Sequence, residues 1–179
     1  MAPRGFRWAL ACLAILVLNA PLAAAGELYR YDGDANYWWY VDGPPNFEVL
    51  IPSDRSAINW VEIDWGGSTS MQVVISDGGP MMVIGTLPTT DAAAAWNALS
   101  APWAARVQSA RTTTNSQITT DQGLNARFFV LEGGGSMVRM VAFTRSGRLA
   151  YLMFVGQSAE YSGDARQHWL RAVHSFRWL

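Results

Sequence analysis

The stretch Arg127–Val155, RFFVLEGGGSMVRMVAFTRSGRLAYLMFV, decides the fold of this chain. Its three apolar runs, 127–132, 137–145 and 148–155, are separated by two short links that contain glycine. The second link is Ser146-Gly147, a two-residue loop in which glycine supplies the positive φ that a tight hairpin needs. Links this short force neighbouring strands to run antiparallel. The stretch therefore predicts a three-stranded antiparallel meander.

Shorter segments of strand character precede the meander, and a segment with helical periodicity separates them from it. Strands are predicted at 26–41, 47–51, 61–65, 71–76 and 81–87, because these segments are rich in β-branched and aromatic residues and are bounded by turn residues. A helix follows, since apolar residues then recur on one helical face at Ala92, Trp96, Leu99, Trp103 and Val107. Thr89 or Thr90 can cap this helix. Pro102 is expected to kink it or to start a second helix.

Two further segments complete the predicted order. The threonine-rich segment 110–123 is expected to be an irregular or weakly extended connection. The chain closes with a helix that Ser162 can cap, and its apolar face contains Ala165, Trp169, Ala172, Val173 and Phe176. Strands, a helix, a meander and a terminal helix in this order predict an α+β domain with an antiparallel β-sheet covered by helices.

This order resembles the PsbP-like superfamily, and two local patterns support the likeness. They are the strand Phe47-Glu48-Val49-Leu50-Ile51-Pro52 and the ending His174-Ser175-Phe176-Arg177. The resemblance covers about residues 37–179 and points to bacterial envelope proteins of the DcrB type. It implies an α/β/α sandwich and a role in binding, and it carries over no catalytic residue.

The first 25 residues are typical of a secretory signal peptide. Arg4 and Arg7 precede an apolar run of 11 residues, Trp8 to Leu18, and Ala23-Ala24-Ala25 offers the small side chains of a cleavage site. The run is too short to span a bilayer, which takes roughly 20 apolar residues. We therefore expect a signal peptide at 1–25, one domain at 26–179, and a periplasmic or secreted protein.

The composition of residues 26–179 excludes several kinds of reactive site and binding partner. The single cysteine, Cys12, lies in the predicted signal peptide, so we expect neither a disulfide nor a thiolate site in the domain. The chain has no lysine, which excludes Schiff-base and phosphate-loop lysine chemistry. Eleven arginines stand against 14 acidic residues without a basic stripe, so nucleic acid is not an expected partner.

Glu62 and Asp64 are the candidate catalytic residues of an alternative interpretation, in which the protein is a hydrolase. Two residues apart on a strand, they point to one face at roughly 7 Å, a spacing that suits acid–base work on a glycan or ester. Trp60 shares that face and could bind a sugar ring. The competing interpretation is the solvated face of an edge strand, with Val61, Ile63 and Trp65 inside.

Metal binding has weak support in the sequence. Asp32, Asp34 and Asn36 match the opening of a calcium loop, but Tyr37 and Gly43 stand where that loop needs glycine and glutamate. His168 and His174 are six residues apart and do not share a helical face. We expect no metal site and no cofactor.

The candidate binding residues are aromatic and basic. Tyr37, Trp38, Trp39 and Tyr40 alternate between the two faces of one strand, so either both faces are buried or one presents an exposed aromatic patch. Arg145 and Arg148, together with Arg139, could form an anion-binding or protein-contact patch on the meander; charged hairpin tips are otherwise simply solubilising.

These observations predict an exported, non-catalytic accessory domain of the cell envelope that contacts another protein through an aromatic surface. The alternatives are the carboxylate-type hydrolase and a small-ligand carrier with an aromatic pocket. After signal cleavage, no integral membrane span is expected.

Overall fold

A computed structural model describes residues 26–42, 46–53, 57–65, 68–76, 79–105, 107 and 109–179. Within these ranges the chain forms eleven strands and two α-helices. In chain order they are β1 Glu27–Arg30, β2 Tyr37–Asp42, β3 Phe47–Pro52, β4 Ala57–Trp65, β5 Ser68–Ser76, β6 Met81–Leu87, α1 Ala92–Ala104, β7 Arg111–Thr119, β8 Asn125–Gly133, β9 Ser136–Arg145, β10 Arg148–Gln157, α2 Gly163–Ser175 and β11 Arg177–Trp178.

The strands form two antiparallel sheets. Four strands follow the order β1-β2-β3-β11, and seven follow the order β4-β5-β6-β10-β9-β8-β7. The predicted meander is confirmed as β8, β9 and β10, inside the larger sheet. Its tight hairpin places both Ser146 (φ 52°) and Gly147 (φ 78°) in the left-handed region, the pattern of a type I′ turn.

The connection expected to be irregular or weakly extended at 110–123 is extended, because most of it is strand β7. Threonines at 112–114 and 119 favour extended backbone, and β7 pairs with β8 along its length with one irregularity between Thr112 and Thr114.

The N-cap of α1 differs from the predicted threonines. Asp91 is the N-cap of α1, and its carboxylate accepts hydrogen bonds from the backbone N–H groups of Ala93 and Ala94.

Side chains on the two faces of the large sheet enter two separate hydrophobic cores. On β10, Ala150, Leu152 and Phe154 belong to a core shared with β3 and α2. The alternate residues Leu149, Tyr151, Met153 and Val155 belong to a core shared with α1. The near-continuous apolar character of β10 follows from burial on both faces.

Phe176 links the small sheet to the large one. Its ring stacks on Phe143 of β9 at a centroid distance of 3.8 Å and on Phe47 of β3 at 5.2 Å. Directly before it, Ser175 Oγ accepts a hydrogen bond of 2.9 Å from the backbone N–H of Leu50 in β3. The end of α2 therefore lies against β3, and the chain continues as β11, the neighbour of β3.

The α+β class is confirmed in its general form: two antiparallel sheets, mostly strand, with two helices. A second, four-stranded sheet was not expected from the sequence, and the α/β/α sandwich stays a prediction. Among the described residues, neither helix has the length and apolar character needed to cross a membrane.

Candidate functional site

Aromatic side chains concentrate on the first two strands of the small sheet. We call Tyr29, Tyr31, Tyr37, Trp38 and Trp39 the aromatic ribbon. The register pairs Tyr29 with Trp39, and Arg30 with Trp38, across β1 and β2. Because directly paired residues share a face and successive residues alternate, Tyr29 and Trp39 lie on one face while Trp38 lies on the other. Both faces of the ribbon therefore carry aromatic rings.

Two members of the ribbon stand out by exposure. Tyr29 is 50% exposed and Trp38 is 39% exposed. No side-chain hydrogen bond, ion pair or ring contact joins the Trp38 indole to another residue in the part of the chain that the structure describes. The exposed part of this indole is therefore available to a partner.

Trp39 and Tyr37 contact neighbouring side chains. Tyr37 Oη lies 3.0 Å from Nδ1 of His168 on α2, and the guanidinium of Arg171 lies 5.3 Å from its ring centroid. The Trp39 ring meets Tyr31 edge-on at 5.5 Å and has the Arg177 guanidinium 5.0 Å from its centroid. These contacts fix the ribbon relative to α2 and β11, so it is a preorganised surface.

Tyr40 does not belong to that surface. It is fully buried, and its hydroxyl donates a 2.8 Å hydrogen bond to Oδ2 of Asp42. Burial raises the pKa of Tyr40 above its usual range, and the charge of Asp42 adds to the effect. The prediction of Tyr40 as a binding residue is thus corrected, because its ring packs in the core against Phe47.

The arginines of the meander do not form one patch. Arg145 and Arg148 pair directly across the hairpin of β9 and β10, and an Nη of Arg145 donates 3.2 Å to the carbonyl oxygen of Leu179. The Arg145 guanidinium also lies 5.8 Å from the Trp178 ring. Arg139 lies six residues from Arg145 along β9, with its guanidinium 3.9 Å from the Tyr161 ring. Arg145 thus contacts the end of the chain, while Arg139 contacts the segment before α2.

Glu62 and Asp64 both lie on β4, opposite Met71 and Thr69 of β5. Their side chains lie outside the described residues, so their use as an acid–base pair stays a prediction.

The residues that were weighed as metal ligands in the sequence lie apart from one another. Asp34 Oδ1 accepts a 3.0 Å hydrogen bond from the backbone N–H of Asn36, as in a turn. His168 contacts Tyr37, whereas Nδ1 of His174 lies 2.7 Å from Oδ2 of Asp121. Within the described ranges, no group of three or more His, Cys, Asp or Glu side chains is placed to hold a metal ion.

A groove that sequence reasoning missed lies beside α2. It has a volume of about 490 Å³, and its lining includes Phe128, Arg139 and Val141 from the meander strands and Arg166, Trp169 and Leu170 from α2. Trp169 and Arg139 were recognised individually, as a core position and as a patch residue. Only the packing of α2 against the sheet places them on one groove.

The comparisons with known proteins bear on the fold. No family model and no curated protein matches the chain. A solved structure of the cyanobacterial PsbP protein CyanoP from Synechocystis matches with a TM-score of 0.54 and 14% identity, over 89% of this chain and all of that one.

The fold is PsbP-like. A Pseudomonas aeruginosa protein of unknown function, PA94, also matches, at a TM-score of 0.39 and 16% identity over 85% of this chain and 96% of its own. The PsbP-like likeness agrees with the strand and the ending from which it was predicted, and it describes the fold alone.

Proposed function

We propose that this protein is an exported, non-catalytic accessory domain that binds another protein of the cell envelope through its aromatic ribbon. Export rests on the signal-peptide character of residues 1–25. The finer fold predictions, an α/β/α sandwich and a likeness to DcrB-type envelope proteins, belong to the same proposal.

The observation that carries the proposal is the exposure of Trp38 and Tyr29, which lie on opposite faces of the β1–β2 edge of the small sheet. Exposed large aromatics are energetically costly in water, and they mark interaction surfaces when they cluster. Aromatic residues and arginine are also the side chains most enriched at interface hot spots. Arg171 and Arg177, which contact Tyr37 and Trp39, supply the basic part of such a surface.

The ribbon is also the outermost part of the small sheet. β1 pairs only with β2 among the described strands, so one edge of β1 keeps its backbone groups available. An edge strand next to exposed aromatics offers a protein partner both hydrogen bonds and apolar contact.

The test compares ribbon variants with a matched control in a pull-down from the extracytoplasmic fraction. Trp38→Ser and Tyr29→Ser should each weaken capture of the partner roughly thirtyfold, the equivalent of a hot spot of about 2 kcal/mol. Leu179→Ser is the control, because Leu179 is 54% exposed and lies outside the ribbon. Unchanged capture by both ribbon variants would refute the proposal.

A second comparison separates binding from catalysis. The double variant Glu62→Gln with Asp64→Asn preserves side-chain shape and removes both charges. We expect it to retain partner capture and the native phenotype. Loss of the phenotype in this variant alone, with an unchanged melting temperature, would favour the carboxylate hydrolase instead.

Export is tested separately from the partner. Intact mass of the protein from the extracytoplasmic fraction should correspond to a chain that begins at Gly26, within one or two residues. A chain that retains Met1 in the cytoplasm would contradict the prediction.

A further inference from the structure

We propose that the groove beside α2 binds an amphipathic carboxylate, with Arg139 and Trp169 holding the carboxylate and the apolar wall holding an aliphatic chain. This site is separate from the aromatic ribbon and does not rest on the protein contact proposed above. It would give the domain a small-ligand function in addition to a partner.

Arg139 is a positioned cation. Its guanidinium lies 3.9 Å from the centroid of Tyr161 and 5.8 Å from that of Phe128, and its Nε donates to Sδ of Met137 at 2.9 Å. No carboxylate of the described residues pairs with it. Two neighbouring rings restrict the orientation of a guanidinium, and its remaining N–H groups stay available to an anion.

Trp169 contributes an unsatisfied donor on the same groove. The residue is only 3% exposed, and its Nε1 is buried with no hydrogen-bond partner among the residues that the structure describes. Buried polar groups in folded proteins are almost always hydrogen-bonded, so the indole N–H of this groove-lining residue is a donor that the described part of the chain leaves unsatisfied.

The remaining lining selects an amphipathic anion over a metal ion or a sugar. Besides Arg139, the groove contains Arg166, whereas the nearby carboxylate of Asp121 is paired with His174. Most of the other wall is apolar and includes Ile118, Val141, Leu170 and Val173. Its volume of about 490 Å³ lies within the range of roughly 300–1,000 Å³ that is usual for small-molecule sites.

A carboxylate fits the polar end of this groove by geometry. A guanidinium presents parallel N–H donors that match two carboxylate oxygens, and an indole N–H can donate to one of the same oxygens. An aliphatic chain then covers apolar side chains that line the groove. A short polar anion would satisfy the donors but leave that wall exposed to water.

The experiment uses dodecanoate as the probe, below its micellar concentration, on the folded chain labelled with ¹⁵N at tryptophan. Trp169→Phe identifies the Trp169 indole signal, because it removes the N–H and keeps an aromatic ring. Dodecanoate should shift that signal downfield. Dodecanol, which keeps the chain without the charge, should leave it in place, and acetate should shift it only at far higher concentration.

Calorimetric titration of variants then tests which arginine binds the carboxylate of dodecanoate. Arg139→Gln should weaken dodecanoate binding at least about tenfold, the loss expected for a charge-assisted hydrogen bond. Arg127→Gln is the matched control, because Arg127 lies on the neighbouring strand and contacts Asn115 and Phe129 rather than the groove. If Arg139→Gln does not fold, the exposed Arg166 provides a second variant, Arg166→Gln, with a smaller expected loss.

Three results would each overturn the inference. The first is an unchanged Trp169 indole signal at saturating dodecanoate. The second is equal binding of dodecanoate and dodecanol, and the third is equal affinity of the Arg139 and Arg127 variants, because either would show that the aliphatic chain binds without the arginine. All three outcomes would leave the aromatic-ribbon proposal untouched, since the ribbon variants are scored by partner capture.

Discussion

Replacing Phe176 with leucine tests how the small sheet is joined to the large one. Phe176 is fully buried, and its ring contacts three others: Phe143 at 3.8 Å, Phe47 at 5.2 Å and Trp178 at 5.1 Å. Aromatic pairs contribute about 0.5–1.5 kcal/mol each beyond the area they bury, so three pairs contribute about 1.5–4.5 kcal/mol. Leucine keeps most of the apolar volume, and the loss should therefore come mainly from these pairs.

Leucine is preferred to alanine for this position. Deleting a buried phenyl ring costs about 3–5 kcal/mol, which is a large share of the 5–15 kcal/mol that stabilises an ordinary domain. The assay is urea unfolding at 25 °C followed by tryptophan fluorescence. With a denaturant slope of about 1–3 kcal/mol per molar, the Phe176→Leu midpoint should fall by at least about 0.5 M.

A double-mutant cycle isolates the closest pair. The effects of Phe143→Leu and Phe176→Leu on the free energy of unfolding should be coupled by about 0.5–1.5 kcal/mol, because the two rings stack with an interplanar angle of 4°. Phe129→Leu is the control: Phe129 is equally buried but stacks on Trp96 in the core of α1. It should destabilise the protein and combine additively with Phe143→Leu. A coupling between Phe143 and Phe176 no larger than this control would refute the reasoning.

Three further predictions concern stability. Trp169→Ala should lower the free energy of unfolding by about 3–5 kcal/mol, because Trp169 is 3% exposed; a loss under about 1 kcal/mol in urea unfolding would contradict its core position. Burial raises the pKa of both Tyr40 and Tyr151, so their stabilisation is complete below the usual tyrosine pKa of about 10 and falls above it, by about 1.4 kcal/mol per pH unit for each tyrosine. Unfolding measured from pH 8 to 11.5 should show this slope, reduced by half in Tyr40→Phe, and a flat profile would count against it. Chelator and reductant should leave the melting temperature unchanged, and a fall of several degrees with chelator would reopen the Asp32-Asp34-Asn36 or Glu62-Asp64 sites.

Local pattern was sufficient for much of the fold. The meander follows from short glycine links, which leave neighbouring strands no choice but to pair. The closing helix follows from the spacing of Trp169, Ala172, Val173 and Phe176, all of which are buried. The segment 110–123 was predicted only as irregular or weakly extended because its exposed threonines lack an apolar alternation, and pairing with β8 rather than its own pattern makes β7 a regular strand.

The candidate sites divide in the same way. The sequence by itself determined that aromatic residues crowd β1 and β2, since this is a matter of composition and period. It could not determine that Trp38 is exposed and Tyr40 buried, although both lie on the same face of β2. That difference depends on which part of this face the core shared with β10 and α2 covers, which is a property of packing between residues far apart in the chain.

The groove beside α2 belongs entirely to tertiary structure. Arg139 and Trp169 are 30 residues apart in the chain, and neither position carries a sequence signal of the other. The sequence determined the elements because hydrogen-bonded pairing and apolar periodicity act between near neighbours. Only the docking of α2 on the meander placed the cation, the unpaired indole and the apolar wall around one space, because that space exists between elements rather than within any of them.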